Sequence, residues 1–390
     1  MVRLNHHYNK LSPMHFLTAL AQRPSNASAI DLSQSDAATL ASPTLRNALV
    51  ELGQNKVKAI GTIELAEAIR TTEYAHLGIG VDEIFLSEGA SSDMAYLQEI
   101  FDADNRIAIV DPSDPLYLDA NVMAGRTKQR LKSGSYGGVT YIEASEDNGF
   151  LPEPPFVHVD LIYLASPNHP TGIAMNRDLL FRWVAYAKSH EAVILFDSTY
   201  RTFVQSKDVP RSIYEIPHAR EVAVEVRSIA PIPRLGGLSG SYTVMPKTLI
   251  VRDAGMLQSL HTLWQRRHAT KIAPPSQTWL HLALSLYDKA GQKECESLVK
   301  TIYEDTHQLH KGLVQQGFVV QGGIDSPFLW CRTLQAQDGW AVADALLKQS
   351  HLFVTPGAGF GRMGESFVCC STLGAKGSMQ AALKRLRAPS

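Results

Sequence analysis

Short apolar, β-rich runs at residues 107–110, 161–164, 192–196 and 221–225 alternate with stretches of helical spacing such as 177–190. Compact apolar runs bounded by turn residues predict strands buried on both faces, and their alternation with helices predicts a mainly parallel sheet covered on both sides. Asp111-Pro112 and Asn168-His169-Pro170 punctuate strand ends, where open α/β sheets bind their ligands. From about residue 279 the rhythm changes to a long helix at 293–316, strands at 318–321 and 328–332, and a helix at 340–350. A strand then enters the turn at Thr355-Pro356-Gly357, and a helix at 378–387 closes the chain. The expected division is an N-terminal arm over 1–36 with one helix at 12–21, a large α/β domain over 37–278 and a smaller α/β domain over 279–390.

Composition narrows the function classes. With 390 residues, 45% hydrophobic and 19% charged, the chain is long enough for a large buried core. A formal net charge of −1 and the lack of a long basic run argue against nucleic acid as a partner. The first residues lack the apolar core of a signal peptide, and no apolar run approaches a membrane span, so a cytoplasmic protein with no membrane partner is expected. Cys295, Cys331, Cys369 and Cys370 have no metal-ligand spacing; they read as reduced thiols, and no metal is expected. Gly357, Gly359 and Gly361 read as a tight turn rather than a phosphate loop.

Several segments carry a resemblance. Ser166-Pro-Asn168-His169-Pro170-Thr171-Gly172 is similar to the N-P-T-G turn of fold-type I aminotransferases, which use pyridoxal phosphate (PLP), and Asp197-Ser-Thr-Tyr200 is similar to their D-x-x-Y motif. Val81-Asp-Glu-Ile-Phe-Leu-Ser87-Glu-Gly89, Asn121-Val-Met-Ala-Gly125, Ser212-Ile-Tyr-Glu-Ile216, Leu263-Trp-Gln-Arg-Arg267 and Thr355-Pro-Gly-Ala-Gly-Phe-Gly361 resemble segments of the LL-diaminopimelate aminotransferase family in the same order. The resemblance covers nearly the whole chain. It implies an α/β fold of fold-type I, with a mainly parallel seven-stranded sheet in the large domain and an arm packing with the smaller one. It also implies a homodimer with active sites at the subunit interface.

Against that family pattern, the positions that serve the cofactor diverge. No lysine occurs between Lys207 and Lys247, and the column of the cofactor-bonding lysine falls on Pro231, which has neither an amine nor a backbone N–H. The phosphate arginine falls on Ser239, the ring-stacking aromatic on Asp114 and the N-P-T-G asparagine on His169. The α-carboxylate arginine falls on Cys369, and a thiol cannot imitate the guanidinium fork. The glycine loop that carries a phosphate-binding tyrosine into the neighbouring subunit is shortened to Lys58-Ala-Ile-Gly61.

What survives of the family's constellation is Asp197, which would face the pyridine nitrogen, with Tyr200, Ser228 and Tyr117. Each also has a plain structural reading: Asp197 bonding nearby backbone, and the two tyrosines packing with satisfied hydroxyls. The resulting expectation is a chain that has lost PLP-dependent transamination, with no cofactor, and acts without PLP on a small polar, amino-acid-derived ligand. His169 and Asp197 would form its acid–base pair with Tyr200, and Asp114, Tyr117, Ser228, Arg234, Ser239 and Cys369 would line the pocket. His169 reads equally well as filling volume left by the cofactor ring. An inactive pseudo-aminotransferase that binds a ligand or partner, and a PLP-dependent aminotransferase, stand as the alternatives.

Overall fold

The computed structural model describes residues 7, 11, 29–38, 40–54, 56–87, 89–335, 338–374 and 379–387. The helix expected at 12–21 lies outside the described residues. The fold is an α/β fold built on a mixed seven-stranded sheet. Its strands are β1 (Ile84–Ser87), β2 (Ile107–Asp111), β3 (Val139–Glu143), β4 (Leu161–Ala165), β5 (Val193–Asp197), β6 (Ala223–Ser228) and β7 (Ser241–Val244). They lie in the order β1-β7-β6-β5-β4-β2-β3. Only β7 runs against its neighbours; all other adjacent pairs are parallel.

The central strands are buried almost throughout, which is why they read as continuous apolar runs rather than as alternating ones. One buried cluster, with Ile162, Leu164, Ile194 and Trp183, packs against one face of the sheet. A second, with Tyr163, Leu195, Val226 and Trp264, packs against the other. A four-stranded sheet in the order β8-β9-β11-β10 follows, from β8 (Phe318–Gly322), β9 (Phe328–Thr333), β10 (Thr355–Pro356) and β11 (Val368–Ser371).

Helices α1 (Ala90–Leu97), α2 (Pro115–Met123) and α3 (Arg177–Ser189) start near the carboxyl ends of β1, β2 and β4 or shortly after. Helix α4 (Leu260–Lys271) carries Arg267, whose Nε donates to Glu99 at 3.0 Å and whose guanidinium lies 4.1 Å from the Tyr96 ring centroid. That cation is paired rather than turned to the cleft. Helix α5 (Lys289–Gln315) begins four residues before its expected start, because Asp288 caps it by accepting from Gly291 N at 2.7 Å.

Buried charge ties the sheet to its surroundings. Glu73 bridges Arg201 and Arg227, and Arg227 also meets Glu225 at 3.1 Å. Glu225 accepts further from Tyr74 Oη at 2.8 Å and from Ser212 Oγ at 3.0 Å. Every charge in this group therefore has hydrogen-bonded partners, as burial requires. No described helix is long and apolar enough to cross a membrane.

Candidate functional site

The carboxyl ends of β2, β4, β5 and β6 and the amino end of α1 surround a cavity of 330 Å³. Ligands of open α/β sheets bind at this edge, because loops leave the strands there in opposite directions.

Asp197 is the last residue of β5 and lines the cavity. Its Oδ2 accepts from Tyr117 Oη at 2.8 Å, and its Oδ1 accepts from Thr199 N at 2.9 Å. Burial pushes its carboxyl above the ordinary range; the Thr199 and Tyr117 hydrogen bonds work against this, and the Asp114 charge adds to it. No cation pairs with it among the described residues. Burial, with the Asp197 and Asp114 charges, also holds the Tyr117 phenol well above its usual value, so it stays a donor.

His169 sits in the turn after β4, and that turn is built tightly. Asn168 Nδ2 donates to Pro112 O and Thr171 Oγ1, each at 3.1 Å, tying the end of β4 to the end of β2. Gly172 follows at φ +70, where a Cβ would stand 2.4 Å from Phe328 O, so a side chain cannot replace it. The His169 ring lies among Phe328 at 4.7 Å, Phe360 at 5.0 Å and Tyr200 at 6.1 Å. Its Nδ1 pairs with Asp114 Oδ2 at 3.3 Å.

The expected His169–Asp197 pair is thus corrected. Asp114 is the carboxylate beside the imidazole, while Tyr117 and Thr199 occupy Asp197. The cause is the start of α2, where Asp114 Oδ1 caps the helix by accepting from Leu116 N at 3.0 Å and so turns Oδ2 toward the cavity. Burial raises the Asp114 carboxyl, but the His169 bond and charge and the Leu116 N–H outweigh it and leave the carboxyl below its usual value.

Tyr200 lines the cavity, but its hydroxyl donates to Ser35 O at 2.8 Å and its ring stands edge-on to Phe328. Arg234 lines the mouth, paired with Asp36 at 2.8 Å. Ser228 and Ser239 also line the cavity, and Ser228 is only 9% exposed with no hydroxyl partner among the described contacts. Cys369 does not line it. It is buried in β11 with Sγ 3.5 Å from Pro170 O, and burial, with Cys370 beside it, pushes its thiol well above the ordinary range. Pro231 is also absent from the lining, to which its segment contributes Pro233 and Arg234. No lysine lines the cavity among the described residues, and these hold no cluster suited to a metal ion.

The expectations did not include the amino end of α1. Gly89, Ala90, Ser91 and Ser92 line the cavity there, and the first backbone N–H groups of a helix are unpaired within it. The signal was legible as a strand followed by Gly-Ala-Ser-Ser at a helix start. A second cavity of 230 Å³ shares Asp114 and is lined by Asp111, Arg130, Tyr141, Phe360 and Glu365 among others. Asp111 accepts from Arg362 N and Met363 N there and holds the turn at Gly361, where a Cβ would lie 2.0 Å from its carboxylate.

Residues 27–386 match the family model described as aminotransferase class I and II. The chain is 37% identical to LL-diaminopimelate aminotransferase of Desulforapulum autotrophicum, over 99% of both chains. It is 34% identical to that of Desulfosudis oleivorans, over 99% of this chain and 98% of the relative. The solved L,L-diaminopimelate aminotransferase of Chlamydomonas reinhardtii superposes with a TM-score of 0.89 at 29% identity, covering 99% and 98% of the two chains.

These likenesses overturn the expectation of a chain that has lost PLP-dependent transamination, whether as a PLP-independent enzyme or as a pseudo-aminotransferase. Relatives named for transamination match it end to end. The expectation of no cofactor falls with it, and PLP is the cofactor to expect. The error lay in taking substitutions at several cofactor positions together as loss of the site, although the strand ends, the helix terminus and the Asp197 carboxylate that frame it are all in place. The chain belongs to the class I and II aminotransferase family.

Proposed function

We propose that this chain is a PLP-dependent aminotransferase that works with a changed set of cofactor contacts and acts on an amino acid of the LL-diaminopimelate class. The observation that carries the reading is Asp197: a partly buried carboxylate with no cationic partner among the described residues, at a strand end, facing a cavity of cofactor size. A carboxylate so placed suits a protonated ring nitrogen, which would restore the charge balance that burial disturbs.

Residues at the other end of the cavity suit the phosphate. The amino end of α1, with Ser91, Ser92, Ser228 and Ser239, offers hydroxyl and backbone donors in place of the family's arginine. When bound, the cofactor supplies the electron sink that lets the substrate's α-proton leave. The protein's own work is then to orient ring and substrate and to move that proton. His169 is the one imidazole among the described lining residues, and Asp114 fixes its ring through Nδ1. Its Nε2, with no hydrogen-bond partner among the described contacts, is the atom we assign to carry the proton.

In this reading Pro231 stands where the cofactor lysine would be, and Cys369 where the carboxylate arginine would be. Arg234 at the cavity mouth takes over the substrate carboxylate, exchanging its Asp36 partner for it. The adjoining cavity, with Arg130 and Asp111, suits the far end of a substrate that carries an ammonium and a carboxylate at both ends, as LL-diaminopimelate does. The arm at 1–36, the large domain at 37–278, the small domain at 279–390 and a homodimer in the cytoplasm belong to the same reading.

The test is an absorbance titration of the purified protein with PLP, run on the wild type and on Asp197→Ala. Saturable spectral change in the wild type, weakened at least tenfold in the variant, is the expected result. Equal titration of both proteins would refute the role given to Asp197.

A further inference from the structure

The cavity differs from a lysine-bearing one in what it offers the reactive end of the cofactor. We propose that it takes the aminated form, pyridoxamine phosphate, as a dissociable ligand and in preference to the aldehyde form. This rests on the functional reading above.

Two features of the lining lead there. The aldehyde form is retained in a lysine-bearing site by a covalent bond to an amine. Here the segment 228–240 contributes Ser228, Pro233, Arg234, Ser239 and Gly240, and no lysine lines the cavity among the described residues. The aldehyde carbon therefore meets no amine, and that form keeps only the contacts it shares with the aminated one.

The second feature is charge. Asp36, Asp114 and Asp197 all line the cavity. Asp36 is engaged by Arg234 at 2.8 Å, and Asp197 is held by Tyr117 at 2.8 Å and suits the ring nitrogen. Asp114, whose Oδ1 caps Leu116 N and whose Oδ2 lies 3.3 Å from His169 Nδ1, is the third carboxylate of the lining and has no arginine or lysine partner among the described residues. A primary ammonium brings three donors and a positive charge to that carboxylate, whereas an aldehyde brings only an acceptor and would face it unfavourably.

The phosphate end serves both forms alike. It rests on the amino end of α1 together with Ser228, which is 9% exposed, lines the cavity and has no hydroxyl partner among the described contacts. Any difference in affinity between the two forms thus reports on the amine end alone. One charge-assisted hydrogen bond at a half-buried carboxylate corresponds to roughly tenfold in affinity.

The experiment is equilibrium dialysis of the full chain with each form, for the wild type and Asp114→Asn, with inorganic phosphate as competitor. Borohydride reduction of the aldehyde-loaded protein and intact-mass measurement follow. Asparagine keeps the cap on Leu116 N, so the variant tests charge and not the start of α2. The expected result is saturable, phosphate-displaceable binding of both forms, roughly tenfold tighter for the aminated one. Asp114→Asn should bring the two within about twofold, and the reduced wild type should keep its unmodified mass. Equal or tighter binding of the aldehyde form, a preference that survives in Asp114→Asn, or a single-site reduced adduct on a lysine would each overturn the inference while leaving the functional reading intact. Failure of both forms to bind would overturn that reading and the inference with it.

Discussion

Tyr117 Oη donates to Asp197 Oδ2 at 2.8 Å while the Tyr117 ring stacks on Tyr163 with centroids 5.7 Å apart. The phenol thus holds one oxygen of the carboxylate from a rigid platform, and Thr199 N holds the other. Removing the hydroxyl should leave the carboxylate in place but less well aimed. Tyr117→Phe is expected to weaken cofactor binding by roughly three- to tenfold, the net worth of a typical hydrogen bond, against near-complete loss in Asp197→Ala. Dialysis of the two variants in parallel checks the order; a Tyr117→Phe loss as large as that of Asp197→Ala would contradict it.

His169→Gln separates proton transfer from packing. Glutamine keeps polarity and much of the volume among Phe328, Phe360 and Tyr200 but cannot carry a proton at neutral pH. Turnover should fall by about 10²- to 10⁴-fold with cofactor affinity changed little, and the limb of the pH–rate profile due to the imidazole should vanish. A variant with unchanged kcat would leave His169 a packing residue.

Much of the fold was readable in the sequence, for a physical reason: strands buried on both faces write themselves as unbroken apolar runs, as at Leu161–Ala165 and Val193–Asp197. Strand β7 (Ser241–Val244) was not foreseen, since its Ser-Tyr-Thr-Val run is paired and buried by neighbours distant in sequence. The site was legible as residues, not as partnerships. His169, Asp197, Tyr200, Tyr117, Asp114, Ser228, Arg234 and Ser239 do line one cavity, and Cys369 does not. Nothing in spacing could say that a helix cap would turn Asp114 toward His169 and leave Asp197 to Tyr117. The reading of lost cofactor chemistry failed differently, by weighing side chains against a family pattern while giving no weight to the amino end of α1, whose donors are backbone.

Asp93, buried in α1, gives a pH signature. Its Oδ2 accepts from Ser87 and Ser241, and burial, against these hydroxyls, pushes its carboxyl up to about 6. The folded value lies above the unfolded one, so the folded state holds the proton more tightly, and stability is lost as pH rises from about 4 to about 6. Between pH 5 and 8 this one group should cost about 1 kcal/mol. Urea denaturation of Asp93→Asn should therefore gain on the wild type by that amount between the two pH values. A gap between the two proteins that does not change with pH would contradict the assignment.

Glu73 tests the buried charge group. It bridges Arg201 and Arg227, whose side chains are 14% and 2% exposed. Glu73→Gln leaves two buried guanidinium groups short of a counter-charge and should destabilise the chain by about 3–5 kcal/mol. A loss below 1 kcal/mol in urea denaturation, about what a surface pair contributes, would place the group's charge balance elsewhere.

The central claim is that the cavity at the ends of β2, β4, β5 and β6 carries out cofactor-dependent amino transfer. The most direct measurement supplies LL-diaminopimelate, a 2-oxo acid and excess cofactor to the wild type and to Asp197→Ala, and follows the new amino acid by mass spectrometry. The account predicts multiple turnovers by the wild type, none without added cofactor and none by the variant. Wild-type protein that binds the cofactor yet forms no amino acid would contradict it.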